Sequence, residues 1–165
     1  MRCLLVGDVV GRPGRRILSS ILPKLKKEKQ IDFVIVNGEN AAGGFGITEE
    51  TFQELIKAGA DVITSGNHIW DKRDIGFFID AEARLLRPAN YPPGTPGSGS
   101  VIVEHKGLKI GVINLAGRVF LEAIDCPFRK AREIVEEIRQ KTSLIFVDIH
   151  AEATSEKAAM GYYLD

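Results

Sequence analysis

The sequence predicts an α/β protein in a single domain over 1–165, with a largely parallel sheet and helices packed against it. Three observations carry this. Short apolar, β-branched runs alternate with segments of helical period from the first residues onward. Several of those runs stop at a glycine followed by a residue able to bind a metal. The 165 residues, 44% hydrophobic and 27% charged, are ordinary for a globular chain with its own core.

The first run is Cys3 to Val6, a strand ending in Gly7-Asp8. Residues 13–29 read as a helix. Pro13 suits its first turn, and Ile17, Leu18, Ile21, Leu22 and Leu25 recur at helical spacing. Pro23 is expected to kink or interrupt it. Phe33 to Val36 is a buried strand running into Asn37-Gly38-Glu39-Asn40 and a glycine-rich loop. Thr48 reads as an N-cap, Thr51 to Ala58 as the helix body and Gly59 as its C-cap. Val62 to Thr64 is a third strand, ending in Ser65-Gly66-Asn67-His68, and 70–80 is expected to be helical. Leu86 to Gly99 is a Pro- and Gly-rich loop. Val101 to Val103 and Leu108 to Leu115 flank Lys106-Gly107 as a hairpin, the one antiparallel part. Phe128 to Lys141 is an amphipathic helix with Ala131, Ile134, Val135 and Ile138 on one face. Leu144 to Ile149 is a strand ending at His150, and a last helix starts near Ser155.

Charge narrows the function classes. Lys+Arg and Asp+Glu both number 22, so the formal net charge is zero and gives no pull toward nucleic acid or an anionic membrane. The two cysteines, Cys3 and Cys126, form no CxxC pair, which excludes a zinc ribbon or a thioredoxin-like motif. No apolar stretch approaches a membrane span, and no charged segment with an apolar h-region opens the sequence. The expected compartment is reducing and cytoplasmic.

The chemistry sits where the strands end. In open α/β sheets ligands bind at the carboxyl ends of strands, so residues distant in sequence converge there. Asp8 and Glu39 offer hard anionic oxygens, Asn40 and Asn67 neutral amide oxygens, and His150 an imidazole nitrogen. This thiolate-free mixture suits Mn, Fe, Zn or Co. A two-metal site can hold both the attacking and the leaving oxygen of an in-line displacement at phosphorus. Each residue alone has a plainer reading: Asp8 as a cap, Asn40 and Asn67 as turn residues, His150 as a hydrogen-bonded core histidine. Glu39 is harder to explain that way, because a carboxylate at the end of an apolar strand is costly unless paired or exposed.

Weaker signals stay open. Gly43-Gly44-Phe45-Gly46 reads equally as a phosphate cradle and as a flexible loop. Core packing is expected for Trp70 and Phe45 ahead of stacking on a base. A solvated helix face is expected for Arg12, Arg15 and Arg16, and solvent exposure for His105 in its hairpin turn.

Five segments also resemble the YmdB-like metallophosphoesterases of the calcineurin-like superfamily, in order along the chain. They are Gly7-Asp8-Val9-Val10-Gly11, Asn37-Gly38-Glu39-Asn40-Ala41, Ser65-Gly66-Asn67-His68-Ile69-Trp70, Asn114-Leu115 through Asp125-Cys126-Pro127-Phe128, and Asp148-Ile149-His150-Ala151-Glu152. The resemblance implies a four-layer αββα sandwich. It implies two divalent or trivalent metal ions, Fe or Mn first, with Zn, Co or Mg as alternatives. Asp8, Glu39 and Asn40 would serve one ion, and Glu39, Asn67 and His150 the other. Asn67 would also orient substrate, and His68 would donate a proton to the leaving oxygen. The implied substrates are phosphodiesters, including cyclic nucleotides. The family pattern continues into a His-x-His segment that this chain lacks, since its histidines are His68, His105 and His150. The C-terminal part of the sandwich is therefore expected to be missing. A non-catalytic nucleotide- or partner-binding role stands as the alternative, and exposed sheet surface would suit a homo-oligomer. A flavodoxin-like phosphate site is a third reading, but it leaves Glu39, Asn67 and His150 unexplained.

Overall fold

The computed structural model describes residues 1–165. Its elements in chain order are β1 (Cys3–Val6), α1 (Gly11–Lys29), β2 (Phe33–Asn37), α2 (Glu49–Ala58), β3 (Val62–Thr64), α3 (Ile75–Phe78), β4 (Ser100–His105), β5 (Leu108–Ala116), α4 (Pro127–Arg139), β6 (Ile145–His150) and α5 (Thr154–Leu164).

The single sheet expected from periodicity is in fact two. One is parallel throughout, in the order β1-β2-β3. The other runs β4-β5-β6, antiparallel in the hairpin and parallel between β5 and β6. Side-chain alternation explains the layering. On β2, Val34 and Val36 pack with Leu18 and Leu22 of α1 and with Phe52 and Leu55 of α2. Phe33 and Ile35 point the other way and meet Ile110 and Val112 of β5. On β5, Ile113 and Leu115 turn outward onto Ala131, Val135 and Ile138 of α4 and Met160 of α5. The result is the αββα sandwich. Periodicity reveals that both faces of a strand are apolar, but not whether a helix or a second sheet covers each one.

Several local expectations hold. Thr48 caps α2 in a reciprocal capping box with Thr51, an arrangement worth about 1 kcal/mol. Gly59 closes that helix at φ 113°, where a side chain would be strained. Lys106 and Gly107 both take positive φ, 49° and 78°, as a two-residue hairpin turn requires.

Others are corrected. Pro23 does not interrupt α1, which runs unbroken through it. Its ring is exposed, so the carbonyl it leaves unpaired one turn earlier is open to water. Residues 70–80 form no single helix. A 3-10 turn at Asn67–Trp70, the four-residue α3 and a second 3-10 turn at Ile79–Ala81 share the segment. Asp71, Lys72, Arg73 and Asp74 lie between two apolar anchors there, leaving too short an apolar stripe for a continuous helix. His105 is not exposed: it ends β4 half-buried, with its ring edge-on to Phe33 at 5.7 Å.

Both thiols are free. Burial, reinforced by Asp61, pushes Cys3 up to about 11. Cys126 sits at the start of α4, where the backbone N–H of Arg129 holds its thiol below the ordinary range. No helix is long and apolar enough to cross a membrane.

Candidate metal centre

The layer between the sheets changes character along its length. It is apolar at Phe33, Ile35, Val62 and Val112, and polar toward the carboxyl ends of the strands. Thr64 of β3 donates its hydroxyl to the Asp148 carboxylate of β6, tying one sheet to the other. Asn114 of β5, fully buried, donates to the Ser65 and Leu86 carbonyls at 3.1 Å each. Asn37 braces the backbone N–H of Glu39 at 3.1 Å. These bonds set the strand ends that carry the predicted ligands.

Glu39 and His150 come together there. His150 Nδ1 lies 2.8 Å from Glu39 Oε1, across the gap between the sheets. Glu39 is 2% exposed. That hydrogen bond raises the His150 pKa, against the lowering effect of burial. Asn40 Nδ2 donates to Asp8 Oδ2 at 2.6 Å and reaches Glu39 Oε1 at 3.5 Å. Four of the five predicted ligands thus form one connected group. Asn67 opens the 3-10 turn directly after Gly66, within this edge, but no side-chain hydrogen bond joins it to the other four.

The donor atoms left over suit a cation. Glu39 Oε2, Asn40 Oδ1 and His150 Nε2 are buried with no hydrogen-bond partner. Buried polar atoms are normally paired, and the two unpaired oxygens, with Nε2 of the neutral imidazole, are acceptors that a cation would satisfy. Gly66 makes room for two of these side chains: a Cβ there would fall 1.8 Å from Glu39 Oε2 and 2.5 Å from His150 Cγ. The fit relies on the amide oxygens, because no three His, Cys, Asp or Glu side chains converge as a metal-binding group.

His68 follows Asn67 in the same 3-10 turn. Its Nδ1 is 2.7 Å from Asp71 Oδ2, which leaves Nε2 free for proton exchange. Sequence reasoning misses Asp71, although a carboxylate three residues after a histidine in a turn is a usable signal. It misses the Thr64–Asp148 tie as well, because nothing in either strand names its partner across the sandwich. Trp70 packs as expected, edge-on to Tyr91 at 5.9 Å. Phe45 does not: it is 58% exposed, because the flanking glycines give it no apolar neighbours in sequence to fold over it. Arg12 and Arg16 are exposed as expected, but Arg15 is half-buried and bound to Glu54 and the Ala41 carbonyl.

The sequence profile of the YmdB-like proteins matches residues 4–165. The chain belongs to the YmdB-like family. It is 53% identical to a Bacillus subtilis 2′,3′-cyclic-nucleotide 2′-phosphodiesterase over 165 residues, all of this chain and 62% of that relative. A Thermus thermophilus protein of known structure, described as hypothetical, superposes with a TM-score of 0.93 at 41% identity, over 100% of this chain and 64% of its own. A Thermus thermophilus 5′-nucleotidase precursor shares the fold alone, with a TM-score of 0.67 at 16% identity, over 96% of this chain and 38% of its own. The sandwich is thus of the metallophosphoesterase type. The chain spans about three fifths of the length of the curated relatives it matches.

Proposed function

We propose that this YmdB-like chain carries the metal site of a phosphodiesterase that hydrolyses cyclic nucleotides or related phosphodiesters. The observation that carries the reading is that Glu39, Asn40 and His150, whose side chains meet at Glu39 Oε1, each keep a buried polar atom with no hydrogen-bond partner: Glu39 Oε2, Asn40 Oδ1 and His150 Nε2. The name of the Bacillus subtilis relative supports the substrate class. Asp8, Glu39, Asn40, Asn67 and His150 would hold two ions, Fe or Mn before Zn, Co or Mg, which suits their mixed oxygen and nitrogen donors. When bound, such ions supply Lewis acidity and acidify water. Asn67 would hold a phosphate oxygen in line. His68, fixed through Nδ1 by Asp71, would give its Nε2 proton to the leaving oxygen.

The test is elemental mass spectrometry of the chain after incubation with Mn or Fe, with hydrolysis of a nitrophenyl phosphodiester followed in the same sample. Bound metal with turnover is the expected result, and Asp8→Ala or Asn67→Ala should abolish the metal-stimulated rate. Full activity in both variants would sink the proposal. Binding without turnover would favour a non-catalytic nucleotide-binding role.

The proton-donor role has its own signature. His68→Ala should cost roughly 10²–10⁴-fold with a poor alkoxide leaving group, and far less with nitrophenolate, which leaves unaided. Asp71→Ala should reproduce that leaving-group dependence in weaker form. Equal losses on both substrates would refute the role.

A further inference from the structure

We infer that Phe45 is the stacking platform for the heteroaromatic base of a nucleotide bound at this site. The inference rests on the phosphodiester reading above and adds to it the part of the substrate that is recognised. Exposed phenylalanines are not rare here, as Phe77 (91%) and Phe120 (89%) are more exposed. Phe45 differs in its neighbour. Its ring centroid lies 5.1 Å from that of His68, at an interplanar angle of 63°. An apolar ring is thus presented to solvent beside the histidine proposed to protonate the leaving oxygen.

The loop that carries it is shaped for this display. Gly43, Gly44 and Gly46 adopt φ of 73°, 104° and 77°, a backbone path that other residues enter only with strain. On one side the loop lies against Gly11, whose Cβ would come 3.6 Å from the Gly44 nitrogen, just beyond the turn of Asp8. On the other side Gly46 is buried against the 68–72 turn, where a Cβ would meet Lys72 Cγ at 2.9 Å and the His68 carbonyl oxygen at 3.3 Å. Gly11 and the 68–72 turn therefore bracket the loop that carries Phe45. Thr48 and Thr51 already fill the N-terminus of α2 with their capping box, so that helix end is not an open phosphate cradle. What the loop offers is a ring. Stacking of a base on an aromatic side chain contributes roughly 5- to 150-fold in affinity and tolerates any base, because every base has a π-face.

The experiment is isothermal titration calorimetry of the full chain with Mn²⁺. It compares adenosine 3′-monophosphate with 1-O-methylribose 3-phosphate, which lacks the base. The wild-type chain should bind the nucleotide about tenfold more tightly. Phe45→Ala should erase that preference with the base-free affinity unchanged, and Phe45→Trp should keep it. His68→Ala should also keep it, which separates stacking from any effect transmitted through the imidazole. A preference that survives in Phe45→Ala, or that vanishes equally in His68→Ala, would overturn the inference. If the wild-type chain binds neither probe, the phosphodiester reading fails first and the inference with it.

Discussion

Gly66→Ala should cost about 10²-fold or more in metal-dependent turnover and weaken Mn²⁺ binding by at least tenfold. The added methyl would stand 1.8 Å from Glu39 Oε2, where no atom fits. The carboxylate must swing away or the strand end must shift, and either movement separates Glu39 from His150. Overpacking of this kind costs about 1–3 kcal/mol of stability, which a domain of this size tolerates. Gly7→Ala is the control: its Cβ meets nothing within 4 Å, so it should behave like the wild type although Gly7 sits just as close to a predicted ligand in sequence. Calorimetric Mn²⁺ titration of both variants decides the matter. Unaltered binding in Gly66→Ala would show that the cradle is not where the ion sits.

Glu39→Gln should remove metal binding altogether while leaving the metal-free protein as stable as the wild type, or more so. Glu39 is a buried carboxylate whose Oε1 is held by His150 at 2.8 Å and more loosely by Asn40 at 3.5 Å, and its second oxygen has no partner. In the absence of metal that arrangement is costly, because desolvation of a charge is only partly repaid when one of its two oxygens goes unpaired. Gln keeps the shape and removes the charge. At a metal concentration of 100 times Kd, binding stabilises the wild type by about 2.7 kcal/mol. That corresponds to a rise in Tm of roughly 5–10 °C for a domain of this size. The rise should disappear in Glu39→Gln. A variant that still gains the full shift with Mn²⁺ would remove Glu39 from the ligand set.

Much of this site is legible in the sequence alone, and the reason is topological. Asp8, Glu39, Asn67 and His150 each follow an apolar run, and parallel strands bring such ends to one edge. The pairing partners are not legible. Nothing in the β2 sequence indicates that Phe33 and Ile35 face β5 while Val34 and Val36 face α1 and α2, so pattern alone leaves the number of sheets open. The segment 70–80 misleads for a related reason: its apolar residues anchor two short turns to the core, and a helical period and a pair of turns look alike over so few residues. Sequence reasoning ranks core packing above base stacking for Phe45, and the ranking fails because hydrophobicity there does not mean burial. The positive-φ glycines around it are visible as glycines, but their bracketing between the 8–11 and 67–72 turns exists only in three dimensions.

The hydrogen bond from Thr64 to Asp148 and the contact of Glu39 with His150 both join the first sheet to the last strand of the chain. Contacts of such long sequence separation form late, after the entropy of closing most of the polypeptide has been overcome. Neither sheet alone carries both Glu39 and His150, so the proposed ligand group exists only once the two have docked.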